Sequence, residues 1–113
     1  MASIKVKFRP STASGKEGSI YYQVIHGRIV RQVKTDYRIF DTEWDKKTSS
    51  MKILPEIGEN RKRYLRKVAE HIDWDARRLK AIVTQCDRQG GIYSVDSIIE
   101  KFNRQTGEQS LFR

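Results

Sequence analysis

The sequence predicts an α+β fold: a three-stranded antiparallel β-sheet packed on a helix, followed by a long helix and a short C-terminal helix. Three observations predict it. Residues 3–9 alternate apolar and basic side chains, the period of a half-buried strand. Residues 19–25 and 28–35 are β-rich runs separated by two residues, a spacing suited to a tight hairpin. From about residue 57 to residue 89 apolar side chains recur at helical spacing, with no proline and no glycine except Gly58.

In the first strand Ile4, Val6 and Phe8 face one way and Lys5, Lys7 and Arg9 the other, and Pro10 ends it because it has no N–H to donate. The polar run 11–18, with Gly15 and Gly18, reads as an exposed loop. With His26-Gly27 as the hairpin loop, Ile25 opposes Arg28, Val24 opposes Ile29, Gln23 opposes Val30, Tyr22 opposes Arg31, Tyr21 opposes Gln32, Ile20 opposes Val33 and Ser19 opposes Lys34. One face then collects Ile20, Tyr22, Val24, Ile29 and Val33 beside Ile4, Val6 and Phe8, and is the core. The other collects Ser19, Tyr21, Gln23, Arg28, Gln32 and Lys34 beside Lys5, Lys7 and Arg9. A one-residue slip in the turn would exchange the two sets.

After the sheet, Asp41 is placed to cap a short helical turn and Trp44 to close the exposed end of the core. Residues 45–56 are polar and hinge-like. The long helix carries Leu65, Val68, Ile72, Ala76, Leu79, Ile82, Val83 and Cys86 as its apolar stripe, and Gly90-Gly91 stops it. It is roughly 45 Å long, more than a small sheet covers, so part of it must project or pack elsewhere. Ser94 is the candidate cap of a second helix with the stripe Val95, Ile98, Ile99 and Phe102. The terminal Leu111 and Phe112 have nothing evident to bury them, which suggests the front of a longer chain. The organisation expected is residues 1–50 as a sheet domain, 51–90 as hinge and long helix, and 91–113 as the start of a further region.

Composition narrows the function. A chain of 113 residues with 37% hydrophobic side chains has no room for a large enzyme core. The single cysteine, Cys86, excludes an internal disulfide and a cysteine-rich zinc site, and suits a reducing compartment. His26 and His71 have no metal-ligand spacing and no nucleophile motif beside them, so neither a catalytic set nor a cofactor or metal is expected. No stretch approaches a membrane span, and a soluble cytoplasmic protein is expected.

The net charge of +9 is unevenly spread. Residues 1–35 hold 7 basic and 1 acidic side chains, 36–58 hold 4 and 5, 59–90 hold 9 and 5, and 91–113 hold 3 and 3. Segregation of this kind points to a polyanionic partner. On the sheet, Arg and Lys suit guanine edges and phosphates, Gln suits adenine, and a β-sheet can enter the major groove. The long helix adds Arg61, Lys62, Arg63, Arg66 and Lys67 in its first turns, where the helix dipole disfavours cations and a phosphate partner would offset that cost. Lys67, His71, Trp74 and Arg78 align opposite the apolar stripe, with Trp74 suited to domain docking or self-association.

The stretches Lys5-Val6-Lys7-Phe8-Arg9-Pro10, Gly18-Ser19-Ile20-Tyr21-Tyr22-Gln23-Val24-Ile25-His26-Gly27-Arg28, Arg31-Gln32-Val33-Lys34-Thr35-Asp36-Tyr37 and Glu43-Trp44-Asp45 together resemble the N-terminal arm-binding domain of tyrosine recombinases. These are the integrases of bacterial conjugative and mobilizable transposons and related phages. The resemblance covers about residues 1–50, and the long helix with the Tyr93–Phe102 stretch is similar to the segment that joins that domain to the SAM-like core-binding domain. It implies a sheet that enters the major groove of arm-type DNA sites, with Lys5, Lys7, Arg9, Tyr21, Gln23, Arg28, Gln32 and Lys34 as contacts. It also implies a bacterial cytoplasmic setting and other integrase protomers or domains as partners. The catalytic Arg/Lys/His set and tyrosine nucleophile of that family have no counterpart, so this chain is expected to bind duplex DNA and catalyse nothing. The competing expectation is a helical interaction module, pairing through Leu65, Val68, Ile72, Leu79 and Ile82, whose basic charge only solubilises it; Asp75 interrupts that seam.

Overall fold

The computed structural model describes residues 2–90 and 93–111. Strands β1 (Ser3–Arg9), β2 (Gly18–His26) and β3 (Ile29–Ile39) form one antiparallel sheet in the order β1-β2-β3. A single 3₁₀ turn at Asp41–Glu43 leads into a two-stranded ribbon, β4 (Trp44–Asp45) and β5 (Ser50–Met51). Two helices complete the chain, α1 (Glu59–Arg88) and α2 (Val95–Leu111). The α+β class is as the sequence predicts.

The hairpin turn differs from expectation by one step. Its loop is Gly27-Arg28, and His26 pairs with Ile29, Val24 with Arg31, Gln23 with Gln32, Tyr22 with Val33 and Tyr21 with Lys34. Gly27 at φ 56° and Arg28 at φ 71° are both left-handed, the geometry of a type I′ turn, whose twist matches the strands it joins. The pairings of Tyr21 to Ile25 therefore move by two residues along β3. The one-residue slip in the turn does not exchange the two faces, contrary to expectation: it moves the pairing by two and so preserves side-chain parity, and the core and outward faces stay as the alternation assigns them.

A second irregularity lies between Ser19, which pairs with Arg38, and Tyr21, which pairs with Lys34. Two more residues are accommodated on β3 than on β2 there, a bulge that the sequence reading lacks. The Thr35 hydroxyl fills the gap, donating to the Ile20 carbonyl at 2.6 Å and accepting from the Tyr37 N–H at 3.2 Å. Because two residues are inserted, Tyr37 and Ile39 return to the core side. Gly18 opens β2 rather than closing a loop: an added Cβ would lie 2.2 Å from the Arg9 carbonyl and 2.8 Å from the Phe8 ring, so only glycine fits.

Both helices pack on the same face of the sheet. At the far end of β3 the Tyr64 hydroxyl donates to the Arg38 carbonyl, and at the opposite corner Tyr93 accepts from the Ala2 N–H and donates to Asp87. Helix α1 thus crosses the sheet diagonally, and α2 fills the open corner, with Phe102 edge-on to Tyr22 at 6.4 Å and Asp96 paired to Arg31 at 3.4 Å. This resolves the length of α1. Its buried residues run from Leu65 to Cys86, because the sheet covers one part and α2 another. The helix behind the sheet is α1 itself, and residues from all three expected segments share one buried cluster.

Smaller expectations divide. Ser94 caps α2, accepting from the Ser97 N–H at 3.1 Å while Ser97 returns a bond to the Ser94 N–H. Trp44 is buried and stacks on Phe8 at 6.1 Å. Asp41 is not the cap of its turn: Phe40 occupies that position, and its N–H donates to Glu43 at 2.7 Å. The region 45–56 is not simply a hinge, since Trp44 pairs with Met51 and Asp45 with Ser50. Ile29 is 46% exposed, because it lies at the hairpin end beyond the helices. Gly91, Phe112 and the side chain of Leu111 lie outside what the structure describes.

Candidate nucleic-acid interface

Among the described residues nothing covers the face of the sheet turned away from the helices, and the ladder orders its side chains into rows. From the hairpin end these are Ser3, Ile25 and Val30; Lys5, Gln23 and Gln32; Lys7, Tyr21 and Lys34; and Arg9, Ser19 and Arg38. No row contains a carboxylate. Asp36 falls in the bulge and lines an edge cleft with Tyr37 and Asp75.

Within each row the charge has a pattern. The cations stand on the outer strands, Lys5, Lys7 and Arg9 on β1 and Lys34 and Arg38 on β3, while the middle strand β2 presents Ile25, Gln23, Tyr21 and Ser19. Two basic rails flank a centre of amide, aromatic and apolar groups. Arg9 bridges the rows: its guanidinium lies 4.9 Å from the Tyr21 ring centre and donates to Gln32 Oε1 at 3.0 Å. Three of the expected contacts are thereby tied together.

Arg28 is not part of the ladder. It occupies the second position of the turn, where its exposed side chain extends the basic surface beyond the hairpin end. Ile25, Val30 and Arg38 were missed by the sequence reading of this face. Parity supplies the signal for all three, since Ile25 alternates with Gln23, and Val30 and Arg38 with Gln32 and Lys34; Arg38 lies beyond residue 35, where the expected strand ends.

The cluster on α1 is different in kind. Helix α1 packs against the core side of the sheet, so Arg61, Lys62 and Arg66 lie in the other layer. Arg61 is engaged within the fold: it donates to Glu43 through Nε at 2.8 Å and Nη2 at 2.6 Å, and Nη2 also meets Glu17 at 2.8 Å. Its guanidinium is sandwiched 4.8 Å from both the Phe40 and Tyr64 rings. These partners hold the Arg61 pKa above its ordinary value, the Glu43 hydrogen bonds most of all, against the opposing effect of burial. Burial alone would push the Glu43 carboxyl up, but bonds from Arg61 and from the Phe40 N–H outweigh it and hold the group below its ordinary value. The counter-charge for the helix start is therefore internal for Arg61. Lys62 is half-buried with Glu59 3.7 Å away, and Arg66 is exposed.

Asp75, which breaks the apolar seam of α1, is a polar tie to the sheet. It accepts from the Tyr22 hydroxyl at 2.7 Å, the Tyr37 hydroxyl at 3.0 Å and Arg78 at 3.0 Å. Burial first, and then the Asp75 charge and hydrogen bond, push the Tyr37 phenol up to about 12; burial first and then Asp75 also raise Tyr22. Arg78 is accordingly tucked in, over the Phe102 ring at 4.8 Å, and does not share an exposed side with Trp74, which is 57% exposed. His71 stacks on Tyr37 at 5.7 Å and His26 on Tyr93 at 4.4 Å, so both histidines join layers of the fold.

Among the described residues no group of three or more His, Cys, Asp and Glu side chains is placed to hold a metal ion, and no helix is long and apolar enough to cross a membrane. No family model, no curated protein and no solved structure matches the chain.

Proposed function

We propose that this chain binds duplex DNA sequence-selectively by laying the outward face of its sheet in the major groove, as the arm-type DNA-binding part of a tyrosine-recombinase integrase that serves integration and excision of a mobile element. The observation that carries DNA binding is the pair of basic rails on β1 and β3 around the uncharged centre of β2. Strands about 4.8 Å apart put the rails roughly 10 Å apart, comparable with a major groove about 12 Å wide whose walls are phosphate and whose floor is base edge. Lys5, Lys7, Lys34 and Arg38 then position the sheet on phosphates, while Gln23 and Gln32 select bases. The integrase assignment rests on the residue resemblance described above.

The test is titration of labelled duplexes, followed by selection of bound sequences from a random pool. Lys5→Ala should weaken all duplexes alike, whereas Gln23→Ala should flatten the preference at one position of the selected site. Equal, sequence-independent losses from both would overturn the base-reading role. The alternative, a helical interaction module, retains one supporting observation in the exposed Trp74, since Leu65, Val68, Ile72, Leu79 and Ile82 are buried in the chain's own core. A stable dimer by sedimentation, lost in Trp74→Ala and indifferent to DNA, would favour it.

A further inference from the structure

The row at the hairpin end sets an apolar pair beside Ser3, on a face whose other rows carry cations, amides, a tyrosine and a serine. Ile25 and Val30 stand opposite each other there, and Val30 is 43% exposed. Among the described residues this exposed β-branched side chain has no fold partner on this side, because both helices pack on the other. The next row brings Gln23 directly opposite Gln32. Arg9 carries donors only, so the Gln32 atom that faces it is the amide oxygen. That oxygen keeps a second lone pair and the amide nitrogen keeps its donors, which is the pair of functions that adenine N6 and N7 require. Arg9, bonded to Gln32 and lying over Tyr21, is turned along the sheet rather than out toward a guanine edge.

We propose that these two rows make the face selective for A·T pairs: the glutamines take the adenine N6/N7 edge, and Val30, with Ile25 behind it, covers a thymine 5-methyl group. Alternate residues on a strand are about 6.8 Å apart, and base pairs rise by about 3.4 Å, so the methyl contact falls roughly two base pairs from the adenine contact. The inference rests on the duplex-DNA reading and adds the chemistry of the preferred site to it.

The experiment uses the whole chain and duplexes selected from a random pool at about 50 mM salt, where the electrostatic contribution is large. Thymine is replaced position by position with deoxyuridine, which removes only the methyl group. The selected duplexes are expected to share A·T pairs. One deoxyuridine substitution should weaken binding by about three- to fivefold, the scale of one buried methyl group. Val30→Ala should bind the thymine and deoxyuridine duplexes equally. Ile29→Ala removes a comparable exposed side chain from the opposite face of the same strand end, and should keep the discrimination. The thymine–deoxyuridine comparison on the unmodified chain stands without either variant. Tight duplex binding with G·C-only selected sites, or with no loss at any deoxyuridine position, would overturn the A·T assignment and leave the DNA reading intact. Failure to bind any duplex at this salt would overturn both.

Discussion

Two residues sit where their chemistry is locally unfavourable. Arg28 holds φ 71° in a turn position that asparagine or glycine occupies at lower cost. Arg28→Asn is expected to stabilise the fold by up to about 1 kcal/mol, read as a higher urea midpoint, while lowering affinity for duplex DNA. A gain in stability with unchanged DNA affinity would remove Arg28 from the contact set. Asp75 is the other, a carboxylate in an apolar seam that satisfies two tyrosine hydroxyls, one of them on the fully buried Tyr22. Asp75→Ala should cost about 2–4 kcal/mol, since it strands a buried donor and removes a charged acceptor. The same site predicts alkaline sensitivity. The folded Tyr37 phenol, pushed up to about 12, holds its proton more tightly than an unfolded tyrosine near 10. Its contribution is therefore complete below about pH 10 and lost as pH rises toward 12. Thermal midpoints measured across that window should fall, and fall less steeply in Tyr37→Phe.

At the scale of elements, the ion-pair knot at the start of α1 fastens the helix to two loops. Glu43 is 3% exposed, so removing its partner leaves a buried carboxylate. Arg61→Ala is expected to destabilise by about 2–4 kcal/mol, and Arg61→Lys to recover only part, because an ammonium cannot reproduce the forked contact to Glu43 and Glu17. Denaturant titration distinguishes these, and full recovery by lysine would show that charge alone suffices. With its pKa held down, Glu43 contributes stability that is present above the ordinary carboxylate range and lost as pH falls through its folded value, so acid should loosen this corner. None of these ties is legible in the sequence. Arg61 and Glu43 are 18 residues apart, and Tyr22 and Asp75 are 53 apart, too far for any periodicity to link them. The strands and helices themselves are legible, because alternation and helical spacing are local. The shifted turn and the two-residue bulge are not, yet both displace the ladder by an even number, so the outward face survives two errors in its register.

At the scale of the molecule, the residues grouped by alternation as a basic face do lie together, whereas the helix-start cluster lies in the other layer and includes an arginine committed to the fold. On the proposed DNA reading Lys5, Lys7, Arg28, Lys34 and Arg38 would reach phosphates, and five neutralised phosphates predict a slope of about −4 to −5 in log affinity against log salt. Titration between low and moderate salt measures it, and a slope near zero would end the electrostatic account. The one-sided packing of both helices has a further consequence, for time rather than for charge. The proposed reading surface is finished before a partner arrives: its strands are braced from behind, and Arg9 already lies across Tyr21 to Gln32. Little of the surface has to be ordered on encounter, so cognate and unrelated duplexes should be captured at similar rates. Preference for one sequence would then reside in how long the complex persists, which places the memory of a correct site in its dissociation rate.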